Sequence, residues 1–186
     1  MIELMIKEAF FYPDDYQKSV FEINFMMLKE KGIKAIMIDL DNTLIPYDEI
    51  HPNQKIRDLF ELIEKLGFEV VIISNNHLAR VETFAKELKV QFICSARKPL
   101  KKGFQRALAL LGNYKKNEVC VIGDQFMTDV FGGKRMGFYV IVVDAIKRNV
   151  EKWYTKLNRQ LEKRVIKRIH RHKPELYVSL RLNEKR

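Results

Sequence analysis

Asp39 and Asp41 stand two residues apart at the end of an apolar run, where packing gives no reason for either. Further along, Ser74-Asn75-Asn76 closes a second apolar run just before a helical segment, where free N–H groups and the helix dipole favour a phosphate. A third run is followed by Arg97-Lys98-Pro99, and a fourth by Gly123-Asp124-Gln125, with Asp129 five residues beyond Asp124. Each signal alone has a plain structural reading: solvated loop aspartates, a helix N-cap, a surface lysine, acidic caps. Their order is more telling. Four successive strand ends carry an Asp pair, a Ser-Asn, a Lys and a Gly-Asp, and acid-group chemistry on a phosphate held beside a cation accounts for all of them together.

The elements that must position these residues are legible in the apolar pattern. Runs at Ile33 to Leu40, Glu69 to Ile73, Val90 to Cys94, Glu118 to Ile122 and Tyr139 to Val143 predict five buried strands. Between them, apolar residues at helical spacing mark three helices, through Ile56 to Leu66, Leu78 to Leu88 and Phe104 to Leu111. Gly67 and Gly112 suit helix C-caps, and Pro99 suits the boundary before the third helix. This alternation predicts an α/β fold with a doubly wound, parallel, five-stranded sheet whose active residues gather at the carboxyl ends of the strands. A leading helix is expected over Tyr12 to Lys31, and a long helix over Asn149 to His172 with Val150, Trp153, Leu157, Leu161, Val165 and Ile169 near one stripe.

The four strand-end motifs resemble those of the haloacid dehalogenase (HAD) phosphatase superfamily over roughly Ile33 to Val143. The resemblance implies that Asp39 is the nucleophile and Asp41 the acid/base, with Lys98 neutralising charge and keeping Asp39 ionised. It implies Mg2+ as the cofactor, held by Asp39, the backbone carbonyl of Asp41 and Asp124, with Asp129 orienting a metal-bound water or ligating directly. Ser74 and the N–H of Asn75 would take the phosphoryl oxygens, while Thr43 supports the loop on the substrate side. HAD enzymes often insert a cap domain after the first motif or between the second and third. Neither interval here has room for one, which favours large or surface-presented phosphates, or an oligomer whose partner covers the site. At closer range the chain resembles the YqeG family of HAD-IIIA phosphatases, in Gly32-Ile33-Lys34-Ala35, Asp39 to Thr43, Ser74-Asn75-Asn76, Lys98-Pro99 and Gly123 to Asp129. That family is similar to the mitochondrial phosphatidylglycerophosphate phosphatases, which implies a lipid head-group phosphomonoester. A small soluble phosphomonoester remains an alternative substrate, and an RNA- or ribosome-associated binding module an alternative function.

Length and charge bound the rest. The 186 residues suit one domain, expected as a catalytic unit over 1–146 followed by a basic helix and tail over 147–186. Residues 147–173 hold eleven basic and two acidic groups, so they carry nearly all of the net charge of +10. That segment fits three roles: packing on the domain with its charges solvated, binding an anionic membrane surface, or binding nucleic acid. Cys94 and Cys120 lie in apolar segments and read as small core residues. Glu3, Lys7 and Glu8 interrupt any signal-peptide pattern, and no stretch approaches a membrane span. A cytoplasmic protein, peripheral on the inner membrane face if the basic helix binds lipid, is the resulting expectation.

Overall fold

All four residues of Ala35-Ile36-Met37-Ile38 are buried, which a strand achieves only when both faces of its sheet are covered. The computed structural model of the chain describes residues 8–151 and 153–185, without the Tyr154 side chain. Glu3, Lys7 and Lys152 of the sequence reading lie outside the described residues. Six strands form one wholly parallel sheet: β1 (Asp15–Gln17), β2 (Ala35–Ile38), β3 (Glu69–Ile73), β4 (Gln91–Ile93), β5 (Val119–Gly123) and β6 (Tyr139–Val143). Their spatial order is β1-β6-β5-β2-β3-β4. The chain therefore runs outward from β2 through β3 and β4, then returns to β2's other side with β5, and the crevice between β2 and β5 is where such a sheet binds ligands.

Alternation along β2 sends Ile36 and Ile38 into one core and Ala35 and Met37 into the other. The first core is closed by α1 (Phe25–Glu30), α2 (Gln54–Lys65) and α3 (Leu78–Leu88), through residues such as Leu28, Ile56, Ile63 and Phe84. The second is closed by α4 (Lys101–Leu110), α5 (Phe131–Met136), α6 (Trp153–His172) and α7 (Pro174–Ser179). Phe104, Met136, Ile169, Leu180 and Leu182 all reach it, so the C-terminal segment shares a core with the strands. Gly67 and Gly112 follow α2 and α4 with φ of +83° and +97°, a conformation in which a side chain is strained. Cys120 is buried, Cys94 is half-buried, and both are free thiols. The intervals from β2 to β3 and from β3 to β4 hold one helix each and no cap domain.

The structure corrects the sequence reading in two places. The sheet has a sixth strand because the expected leading helix over Tyr12 to Lys31 is broken into β1, a 3-10 turn at Val20–Glu22 and the short α1. The edge of β6 offers unpaired main-chain groups, and Asp14 to Gln17 satisfies them: Asp14 N donates to Val140 O at 2.8 Å, and Val140 N donates to the Asp14 carboxylate at 2.7 Å. Tyr16 is fully buried there, its hydroxyl donating to Asp144 at 3.0 Å. The second correction concerns the first half of α6, where the expected apolar stripe is not the buried face; further along, Val165 and Ile169 of that stripe do pack on the core. Trp153 and Leu157 are 77% and 51% exposed, whereas Thr155, Arg159 and Glu162 are buried ahead of Ile169. That helix seats a polar face on the carboxyl edge of the sheet, where the groups awaiting partners are themselves polar.

One close approach places a catalytic candidate. A Cβ on Gly103 of α4 would lie 2.3 Å from the carbonyl oxygen of Ala96, two residues before Lys98, so the helix backbone rests directly on that loop. Gly103→Ala would gain about 1 kcal/mol from helix propensity. The backbone overlap should outweigh this and leave a net loss of about 2 kcal/mol. Urea denaturation checks the sign: a variant as stable as the parent would mean that the loop yields freely.

Candidate active site

Asp39 is delivered to the crevice by the ladder itself, its N–H donating to Ile122 O of β5 at 2.9 Å as the strand ends. Beyond it the chain turns sharply at Asn42, which adopts φ +64°, a conformation asparagine tolerates better than most residues. This turn brings Thr43 Oγ1 within 3.5 Å of one Asp39 oxygen. Lys98 Nζ donates to the other at 2.5 Å and to Asp129 at 2.7 Å. The lysine is held there by Asn75, whose amide accepts from Lys98 N at 2.6 Å and donates to Lys98 O at 3.0 Å. The Asn75 side chain is thus occupied with positioning Lys98.

Asp41 faces a different set of partners. Arg80 of α3 donates from Nε to its Oδ1 at 2.7 Å, while Asn76 and Ser74 donate to Oδ2 at 3.1 and 3.3 Å. Arg80 also donates to the carbonyls of Pro46 and Glu49, which ties the segment after the turn to the same carboxylate. Asp129 hangs from a π-helical turn, Phe126–Val130, and accepts from Gln125 N and Thr128 Oγ1 with the oxygen that Lys98 does not use. Gly123 leaves room for it: a Cβ there would fall 2.3 Å from Asp129 Cγ.

Burial, together with the Asp129, Asp124 and Asp41 carboxylates, pushes the Asp39 carboxyl well above the usual carboxylate range, against the pull of Lys98. Burial works against the Lys98 charge as well, yet Asp129 and Asp39 outweigh it and raise the ammonium above the ordinary lysine range. The site carries an excess of negative charge that asks for a further cation. Oxygens of Asp39, Asp124 and Asp129 lie within 4.8 Å of one another, and Asp124 Oδ1 is buried with no hydrogen-bond partner among the described residues. An orphaned carboxylate oxygen costs about 1–3 kcal/mol or more unless something binds it. Hard oxygen donors this close together suit Mg2+, so these residues fit the ion.

All eight residues singled out in the sequence, Asp39, Asp41, Thr43, Ser74, Asn75, Lys98, Asp124 and Asp129, meet at this one edge. Beside them lies a cleft of about 380 Å3, lined by Asp39, Asp41, Asn75 and Lys98 together with Thr128, Thr155 and Asn158. A family profile described as haloacid dehalogenase-like hydrolase matches residues 31–137, from the approach to β2 to the turn before β6. The chain belongs to that family. It also belongs with the YqeG-type proteins, being 40% identical to the "Probable phosphatase YqeG" of Bacillus subtilis (strain 168) over 90% of this chain and 95% of the relative. A second relative, "Phosphatidylglycerophosphate phosphatase 1, chloroplastic/mitochondrial" of Arabidopsis thaliana, is 27% identical over 90% of this chain, which spans about half (51%) of that longer protein. Among solved structures, an uncharacterized protein from Listeria monocytogenes serotype 4b shares the fold, with a TM-score of 0.51 and 19% identity over 62% of this chain and 84% of that one.

Three side chains close to this HAD-type site were missed in the sequence: Arg80, Arg159 and Glu151. Arg159 of α6 donates to the Asp124 carbonyl at 2.9 Å and to the Asp124 carboxylate, and it is flanked by Glu151 at 2.8 Å and Glu162 at 3.0 Å. One signal was available. Glu151 and Glu162 are the two acidic residues of the basic stretch 147–173, and both are buried against the same arginine.

Proposed function

We propose that this chain hydrolyses phosphomonoesters through a covalent phosphoryl-Asp39 intermediate, with Mg2+ as cofactor. The observation that carries the reading is the buried Asp124 carboxylate, which clusters within 4.8 Å of Asp39 and Asp129 and keeps one oxygen without a hydrogen-bond partner among the described residues, in a pocket where Lys98 already balances two carboxylates. Asp39 and Asp124 would hold the metal with the Asp41 carbonyl. Both Asp129 oxygens already accept hydrogen bonds, which suits a supporting place around the ion. The ion would supply charge neutralisation of the phosphoryl oxygens.

In the first step an Asp39 oxygen forms a bond to phosphorus as the ester P–O bond breaks, and Asp41 gives its proton to the leaving alkoxide. In the second, Asp41 takes a proton from water as the water oxygen attacks phosphorus, which releases inorganic phosphate and regenerates Asp39. Lys98 favours the ionised form of Asp39, a pull the metal ion would reinforce, and screens the incoming dianion. Ser74 Oγ and the Asn75 N–H would take the phosphoryl oxygens, and Thr43, 3.5 Å from an Asp39 oxygen, would brace the Asp39 loop.

For the substrate we favour a phosphomonoester on a lipid head group, presented at an anionic membrane surface. Thr155 and Asn158 of α6 line the cleft, while the same helix exposes Trp153, Leu157, Lys156, Lys163, Arg164 and Lys167. An exposed aromatic and aliphatic pair among cations, on the helix that borders the cleft, suits a headgroup layer. Among the described residues no helix is long and apolar enough to cross a membrane. Pure protein with Mg2+ should release phosphate from an aryl phosphate and lose that activity to a chelator. It should turn over phosphatidylglycerophosphate in anionic vesicles faster than soluble sugar phosphates or nucleotides, with the advantage shrinking as salt rises. Equal rates on lipid and soluble esters would remove the lipid part of the proposal, and chelator-resistant turnover would remove the metal.

A further inference from the structure

We infer that Arg159, on the C-terminal helix, is a positioning residue for the metal ligand Asp124, so that the segment past residue 150 completes the active site. The inference rests on the metal-dependent reading above and adds to it a residue outside the four strand-end motifs. Arg159 grips Asp124 twice, with Nη1 on the backbone carbonyl at 2.9 Å and Nη2 on carboxylate Oδ2. The second carboxylate oxygen, Oδ1, is buried and has no hydrogen-bond partner among the described residues, and the Asp124 carboxylate brings an oxygen within 4.8 Å of oxygens of Asp39 and Asp129. One oxygen clamped and one presented is the arrangement in which an outer partner fixes a ligand's orientation.

The guanidinium is itself held by two glutamates. Glu151 accepts from Nε at 3.1 Å and from Nη2 at 2.8 Å, and Glu162 accepts from Nη1 at 3.0 Å. Glu151 also accepts from Asn42 Nδ2 at 3.0 Å, and Asn42 is the turn residue that follows Asp41. Asn42 Oδ1 in turn accepts from Lys147 N, and its carbonyl accepts from Ile146 N at 3.0 Å. Lys185 adds a contact at 3.3 Å to the Asp124 carbonyl from the C-terminal tail. One network thus joins the loop after the first strand-end motif, the aspartate of the fourth and the helix between them. An arginine suits this role because its rigid planar fork presents separate N–H groups to two acceptors in a fixed geometry, whereas a lysine offers a single, rotatable point charge.

The test is Mg2+ titration of the full chain by calorimetry without substrate, alongside phosphate release as a function of Mg2+. Arg159→Gln should weaken Mg2+ binding at least about tenfold, the loss common when a ligand's outer partner is removed. The Mg2+ concentration for half-maximal rate should rise in parallel, while the rate at saturating Mg2+ recovers to within a few-fold of the parent. Arg159→Lys keeps the charge but not the fork, and should fall between the two; it also decides the matter if Arg159→Gln does not fold. Parent-like Mg2+ affinity in either folded variant, with only the melting temperature lowered, would overturn the inference and leave Arg159 a structural residue. A parent protein that binds no Mg2+ would overturn this inference together with the metal reading, whereas the former result would leave that reading standing.

Discussion

Asp39→Asn should leave the chain folded and reduce phosphate release by about 10^4-fold or more, the scale of loss when a nucleophile is removed from a covalent mechanism. Asparagine has the same shape, and its carbonyl oxygen can still accept from Lys98, which retains Asp129 as a full partner at 2.7 Å. It also removes one charge from a pocket where burial and three neighbouring carboxylates already oppose ionisation of Asp39. Melting temperature should therefore change little, so loss of turnover reports on chemistry. The neutral amide cannot form the bond to phosphorus, and acid quenching during turnover should trap phosphate on the parent but not on the variant. Near-parental rates for Asp39→Asn would mean that water attacks the ester directly and that Asp39 only positions it.

The second large effect separates the two half-reactions. In Asp41→Asn the proton carrier is gone, and general acid/base catalysis is worth about 10^2–10^4-fold. An aryl phosphate has a leaving group that needs no proton, so its first step survives while attack of water on phosphoryl-Asp39 slows. Stopped-flow absorbance should then show a burst of about one aryloxide per enzyme, followed by turnover slower by that factor. An alkyl phosphate needs the proton at once and should give no burst. A burst of equal size from both esters, or from neither, would deny Asp41 the acid/base role. Arg80 belongs to the same account: with Ser74 and Asn76 it holds the Asp41 carboxylate from three sides, and the substitution leaves its charge unpaired in a half-dry site.

The carboxylate series was legible because each of its residues follows a strand whose apolar run announces where it ends. Glu69–Ile73 and Tyr139–Val143 form over the bounds their sequence pattern predicts, since a doubly covered strand leaves an uninterrupted apolar signature. β1 left no such signature. It is three residues long with only Tyr16 buried, and it is held by the edge of β6, where Tyr16 pairs with Val142 from the other end of the chain. The amphipathic reading failed over the first half of α6 for a related reason: apolar spacing identifies a face that would pack on a core, as Val165 and Ile169 do, whereas the turns before them pack on carboxylates. Trp153 and Leu157 look outward because the buried face answers Asp124 and Glu151.

The sequence by itself determined the family, the doubly wound architecture and the residues that meet at the carboxyl edge, because strand period, strand ends and motif order are local properties. Only the tertiary structure decided how those residues are held. Asn75 turns inward to hold Lys98, Arg80 secures Asp41 from α3, and Arg159 reaches back from the C-terminal helix to Asp124. Each of these is a pairing between a charged or amide side chain and a partner distant along the chain, and in sequence such a residue looks the same as one that faces solvent. What distinguishes it is burial, which makes an unmet hydrogen bond costly and so selects the one neighbour that can meet it.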